Sequence, residues 1–206
     1  HLAWPNLPNH DKSFHLNKNL PNEIFFLDQM IDGGLKRLIV TGTCFEYGMQ
    51  NGCLNEELPT FPANPYSIAK DTLRRYLELK TKNIVFKWLR LFYMFGKGQN
   101  SKSLFSQLNQ ALENKSKIFN MSEGNQVRDY LPVVKVSELI VKVSFENNLS
   151  GIYNICSGNP KKLVDLVRQY IQNSGNHIDL NLGYYPYSNL EPMDFWGCDK
   201  KINHLL

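Results

Sequence analysis

Apolar positions along the chain alternate between two periods, and each change of period marks a boundary. Over 17–31 they recur at helical spacing and stop at Gly33 and Gly34, a helix terminator. Residues 36–42 then bring a short β-branched run, Leu-Ile-Val, that empties into hydroxyls, which predicts a buried strand. A polar stretch through Pro59 and Pro62 leads to Asn64 and Pro65, a good N-cap and first helical residue, and helical spacing predicts a helix over 65–79. Nearly continuous apolar runs at 83–92 and 151–155 predict two more buried strands. Helices are predicted at 103–112, 134–145 and 163–171, a short strand at 117–121, and an edge strand at 178–184. Buried strands alternating with helices predict an α/β fold, a parallel sheet with helices on both faces.

One spacing carries chemistry. Tyr66 and Lys70 are four apart near the start of the 65–79 helix, so they share a face one turn from each other. A phenol, with an ordinary pKa near 10, is a poor acid-base group at neutral pH. A nearby ammonium favours the phenolate and is expected to lower that value into catalytic range. The bland alternative, a helix surface where the two merely coincide, needs no chemistry, so the pair requires company. It comes at the carboxyl end of the 36–42 strand, where open α/β sheets place ligands, and where Thr41 and Thr43 offer hydroxyls. Ser67 and Lys70 also form a Ser-x-x-Lys pattern, but the companion elements of serine acyl-transfer sites are missing. Cys44 beside Thr43 reads as a small buried residue rather than a nucleophile.

Thr-Gly-Thr-Cys-Phe-Glu-Tyr-Gly at 41–48, followed by Asn-Pro-Tyr-Ser-Ile-Ala-Lys at 64–70, resembles the Ser/Thr and Tyr-x-x-x-Lys core of the extended short-chain dehydrogenase/reductases, the nucleotide-sugar epimerase/dehydratase family. His1-Leu-Ala-Trp4, Leu89 to Gln99, Gln126 to Val133 and Tyr153 to Gly158 are similar to further landmarks of that family, in the same order. The resemblance implies Thr43, Tyr66 and Lys70 as catalytic residues and NAD or NADP as cofactor. It implies His1, Ala3, Thr41, Tyr66, Lys70 and Phe92 at the dinucleotide, and Thr43, Tyr93, Asn100, Leu104, Phe105 and Arg128 at the sugar nucleotide, with Arg128 on the diphosphate. It also implies a partial Rossmann-like sheet: residues 1–92, with 128–157 returning to it, as the remainder of the dinucleotide-binding domain, and 93–127 with 158–206 as a small substrate-binding subdomain.

Departures from the pattern narrow the chemistry. Cys44 and Phe45 stand where dehydratases of the family carry two carboxylic acids, so dehydration is not expected. Tyr93 replaces a common asparagine, and bulky Phe45, Tyr93, Met94 and Phe95 are expected to restrict rotation of a sugar in the site. The wording is most similar to reductase members that act on the C4 ketone of a dTDP- or CDP-linked 4-keto-6-deoxyhexose. A 4-epimerase using the same three residues is the alternative, and a catalytically idle NAD(P)-binding scaffold a third. The strand, glycine-rich turn and helix with which dinucleotide folds open are not found in this sequence, so these 206 residues alone are expected to be inactive.

Composition adds exclusions. A net charge of +4 with scattered basic residues suits a small anionic substrate, not a nucleic-acid footprint. No apolar run is long enough to span a membrane, and no leader precedes the first helix. Four cysteines without metal spacing or disulfide density predict a cytoplasmic protein with no metal. The expected partners are a nucleotide sugar and a second copy of the chain in a homodimer.

Overall fold

The structure, a computed structural model, describes residues 1–7, 9–146, 150–189 and 191–203. Its centre is a three-stranded parallel sheet of β1 (Arg37–Thr43), β3 (Val85–Leu91) and β8 (Gly151–Ile155), in the order β1-β3-β8. The register aligns Thr43 with Leu91, and Leu91 in turn with Ile155, so all three carboxyl ends finish at one rim. Between β1 and β3 lie β2 (Gly52–Leu54) and α2 (Pro65–Lys80), and α1 (Leu20–Asp32) precedes β1.

The side-chain alternation of a strand sorts the apolar runs onto two faces. Leu38, Val40, Phe86 and Trp88 point to one side, where they pack with Leu27 of α1 and Ala69, Leu73 and Leu77 of α2. Leu89, Tyr153 and Ile155 point to the other, against Val136, Leu139 and Val143 of α4 (Val133–Phe145) and Ile202 of the short C-terminal helix α6 (Lys200–Asn203). Lys87 shares that second face, and its buried ammonium donates to the carbonyls of Val143 and Glu146 at the end of α4. Cations suit helix carboxyl termini, which explains a lysine in a core strand.

The chain then builds a second core. After β3 come β4 (Tyr93–Phe95), α3 (Leu104–Glu113), β5 (Ile118–Asn120), β6 (Val127–Arg128) and β7 (Tyr130–Pro132). After β8 come β9 (Lys161–Lys162), α5 (Leu163–Ser174), β10 (Asp179–Asn181) and β11 (Phe195–Gly197). Phe105, Leu108 and Leu112 of α3 pack with Phe119, Val164, Val167 and Ile178. The 178–184 segment is no edge of the main sheet: only Asp179–Asn181 is strand, and it pairs with β5 in a separate parallel pair. The pairs β2–β11, β4–β7 and β6–β9 likewise have no clear period in the sequence, being two or three residues long.

Candidate active site

β1 delivers Thr43 to the sheet rim in an extended conformation, and its hydroxyl then caps the following turn by accepting from the Phe45 amide at 3.3 Å. Glu46 closes the same turn, accepting from the Thr43 amide at 2.9 Å. That carboxylate is fully buried and also accepts from Trp88 Nε1 at 2.9 Å and Arg90 Nε at 2.8 Å. It is therefore a structural anion held by strand β3, not a loop residue free to move a proton. Gly42 lies close beneath: a Cβ there would come within 2.4 Å of the Glu46 carboxylate and 2.1 Å of Trp88 Nε1.

α2 starts where the sequence places it. Asn64 and Ser67 exchange capping bonds at 2.9 and 3.2 Å and Pro65 follows the cap, so Ser67 is spent on the helix start. This sets Tyr66 and Lys70 on the buried side of the helix, 6% and 2% exposed. The structure sets the Thr43 hydroxyl near Tyr66, where it favours the phenolate. Burial nevertheless pushes the phenol up, well above its ordinary value. The expectation that Lys70 lowers it is not met. The Lys70 ammonium instead donates to the Thr41 carbonyl at 2.7 Å and lies 4.3 Å from the Trp4 ring centroid. Burial draws Lys70 itself down to about 8, against support from Glu46 and Glu23.

Three residues around the phenol were not legible in the sequence. Trp4 touches Tyr66 edge-on at 6.0 Å, and His10 and His15 lie 5.0 and 5.3 Å from its ring. His15 is fixed by the Trp4 indole at 3.0 Å and by the Asn9 carbonyl at 3.0 Å, and burial lowers both histidines. From Tyr66 a run of rings continues through His10 and Phe45 to Tyr93 and Phe195, ending under the Arg128 guanidinium, 4.5 Å from the Phe195 ring. Arg128 is 5% exposed and donates to the Met193 carbonyl at 2.8 Å and to Glu191 at 3.1 Å. The Tyr93 hydroxyl donates to the same Glu191 carboxylate at 2.5 Å. Glu191 gave no signal in the sequence, since it reaches this place only by long-range folding.

The His1 amine follows the edge of β1, donating to the Ile39 carbonyl at 2.7 Å, while its imidazole meets Glu23 at 2.5 Å and Ala3 is exposed. Phe92 is buried with Cys44, Tyr47 and Phe195, away from Lys70. Asn100 is exposed in the turn before α3, where its side chain accepts from the Lys102 amide at 2.9 Å. Leu104 and Phe105 belong to the second core, with Phe105 stacked among Phe95, Tyr130 and Tyr170. Met94 packs toward α4, whereas Phe45 and Tyr93 belong to the run of rings and Phe95 reaches it through Tyr130.

The rim can hold part of a dinucleotide. Lys70 has three N–H donors and gives one to Thr41, leaving two for a ribose diol beside the Tyr66 phenol. Among the described residues no helix is long and apolar enough to cross a membrane, and no three metal-ligating side chains cluster.

The chain is 31% identical over 201 residues to dTDP-6-deoxy-L-talose 4-dehydrogenase (NAD(+)) of Aggregatibacter actinomycetemcomitans, covering 96% of this chain and 74% of that protein. It is 25% identical to UDP-arabinose 4-epimerase 1 of Arabidopsis thaliana, covering 80% of this chain and 45% of that one. The fold superposes with a TM-score of 0.85 on UDP-N-acetylglucosamine 4-epimerase from Methanobrevibacter ruminantium M1 in complex with UDP-N-acetylmuramic acid, at 19% identity over 98% of this chain and 67% of that one. It superposes at 0.82 on RMD from Pseudomonas aeruginosa complexed with NADPH, at 16% identity, covering 99% of this chain and 73% of that one. Residues 12–156 match the family model described as NAD dependent epimerase/dehydratase, and the chain belongs to that family.

Proposed function

We propose that the protein is an oxidoreductase of a nucleotide-linked sugar that interconverts a C4 ketone and the C4 alcohol, with reduction of a dTDP- or CDP-4-keto-6-deoxyhexose the favoured direction. The observation that carries this reading is the buried Tyr66 phenol beside the Thr43 hydroxyl, with Lys70 one turn along α2. A phenol raised by burial stays protonated at neutral pH, so Tyr66 is poised to donate a proton to an oxygen that is gaining charge. Thr43 holds that oxygen from the other side and orients the carbonyl. When bound, the reduced cofactor, NAD(P)H, would supply a hydride, and its oxidised form would accept one in the reverse direction. Lys70 binds the ribose hydroxyls beside it, and Arg128 offers the planar fork that suits a diphosphate. The 4-dehydrogenase relative, whose named substrate is a dTDP-6-deoxyhexose, supports this reading over the others.

Dehydration is disfavoured because Cys44 and Phe45 carry no usable proton and Glu46 is locked by three donors. Burial also pushes the Cys44 thiol far up, which leaves it unsuited to act as a nucleophile. The separate packing of α3 and α5 against β5 and β10 supports a substrate-binding part made of 93–127 and 158–206 beside the dinucleotide-binding part. The test uses a protein that also carries the glycine-rich dinucleotide turn and follows the absorbance of reduced cofactor with a dTDP-4-keto-6-deoxyhexose. Stoichiometric oxidation with formation of the 4-hydroxy sugar supports the proposal. Interconversion of two 4-epimeric nucleotide sugars, with no net cofactor consumed on the keto sugar, replaces it with the epimerase.

A further inference from the structure

Two cysteines remote in sequence meet on the β2–β11 pair, outside the run of rings. The parallel register sets Trp196 against Cys53 and Gly197 against Leu54, and the Cys198 amide donates to the Leu54 carbonyl at 2.8 Å. Cys53 and Cys198 are therefore diagonal neighbours on one face of the pair. The Cys198 thiol lies near enough to help raise the Cys53 thiol above its ordinary range, with burial the larger cause. Cys53 is exposed and Cys198 half-buried, whereas Cys44 and Cys156 are buried. Cys198 also opens onto a surface cleft of about 390 Å³ lined with Asn55, Glu56, Glu57, Lys200 and Lys201. Burial pushes Cys44 and Cys156 far above the ordinary thiol range, so those two stay protonated and unreactive. The molecule thus separates two buried, inert thiols from two that are neighbours on one face and reach solvent.

We propose that Cys53 and Cys198 are an oxidation site that closes to an intramolecular disulfide in the presence of a small-molecule disulfide such as oxidised glutathione. One thiol loses its proton and its sulfur attacks the reagent, forming a mixed disulfide and releasing one glutathione thiolate. The second thiol then loses its proton and displaces the other glutathione, forming the Cys53–Cys198 bond. Two protons and two electrons leave the protein, and one oxidised glutathione becomes two reduced ones. Diagonal neighbours stand roughly 7–8 Å apart at Cα, and a disulfide needs less than about 7 Å, so closure shifts the backbone locally at Cys198, just past the end of β11. β11 carries Phe195 under Arg128, so the cross-link bears on the Arg128 end of the run of rings.

The test equilibrates the native protein with oxidised and reduced glutathione, quenches in acid, and counts thiols by mass spectrometry. Two of the four thiols are expected to disappear, with no glutathione retained and one unreduced peptide joining Cys53 to Cys198. Excess reduced glutathione restores all four. C53S and C198S, checked for an unchanged thermal midpoint, are each expected to stop at a glutathione adduct on the remaining partner. Persistence of all four thiols in the unsubstituted protein overturns the proposal. So does glutathione retained on either cysteine without a cross-link, or a disulfide that involves Cys44 or Cys156.

Discussion

The Lys70 ammonium donates a 2.7 Å hydrogen bond to the Thr41 carbonyl, inside the sheet rim and out of water. Burial draws its pKa from 10.5 to about 8. Between those values the unfolded chain binds more protons than the native one, so this group makes stability rise with pH across that window. Below about 8 the desolvation penalty is fully present. Lys70→Met is therefore expected to raise stability at pH 7 by about 1–2 kcal/mol, less than the full penalty because the Thr41 carbonyl is orphaned. Urea midpoints at pH 7 and above the unfolded pKa check this: the gain should fade at the higher pH. A variant that is less stable at pH 7 would show that the Thr41 bond outweighs the buried charge.

Tyr66→Phe is expected to lower turnover by about 10²–10⁴-fold, the range of a lost general acid. Nucleotide-sugar affinity should stay within a factor of a few, because diphosphate binding is assigned to Arg128. Turnover and Kd measured on the same preparation separate the two effects. Turnover that persists would remove Tyr66 from the proton transfer.

Above about pH 8 the proposed ribose contact weakens, because Lys70 loses its charge there while the raised Tyr66 phenol stays protonated. The KM for the dinucleotide should rise through that pH while kcat at saturating cofactor changes less. A kcat profile that falls with pH while KM stays flat would assign the titration to the proton donor instead.

Glu46→Ala is expected to destabilise by about 3–5 kcal/mol, because a desolvated Arg90 is left without its anion. The Trp88 indole and the Thr43 amide lose an acceptor in the same stroke. Chemical denaturation gives the change directly. A loss below about 1 kcal/mol would mean that water or Tyr47 takes over.

Arg128→Lys keeps the charge and loses the planar fork, so affinity for a nucleoside diphosphate should fall about tenfold or more. Calorimetric titration with dTDP or UDP measures it. An unchanged Kd would leave Arg128 as the counter-ion of Glu191 alone.

The elements that position the site follow from local rules. Asn64, Pro65 and Ser67 start α2 by bonds within four residues, and the helical period then places Tyr66 and Lys70 on one face. The apolar runs of β1, β3 and β8 are readable for the same reason, since period and capping depend only on near neighbours. Thr43 at the end of its strand was legible in this way too. The surroundings of these residues were decided by folding. Glu46 finds Trp88 and Arg90 through the β1–β3 register, and Lys70 turns to Thr41 and Trp4 in place of Tyr66. Glu191 joins Tyr93 and Arg128 from 98 and 63 residues away. No local period encodes such meetings. They depend on how strands align and which buried charges find partners, and the burial that comes with them pushes Tyr66 up and draws Lys70 down.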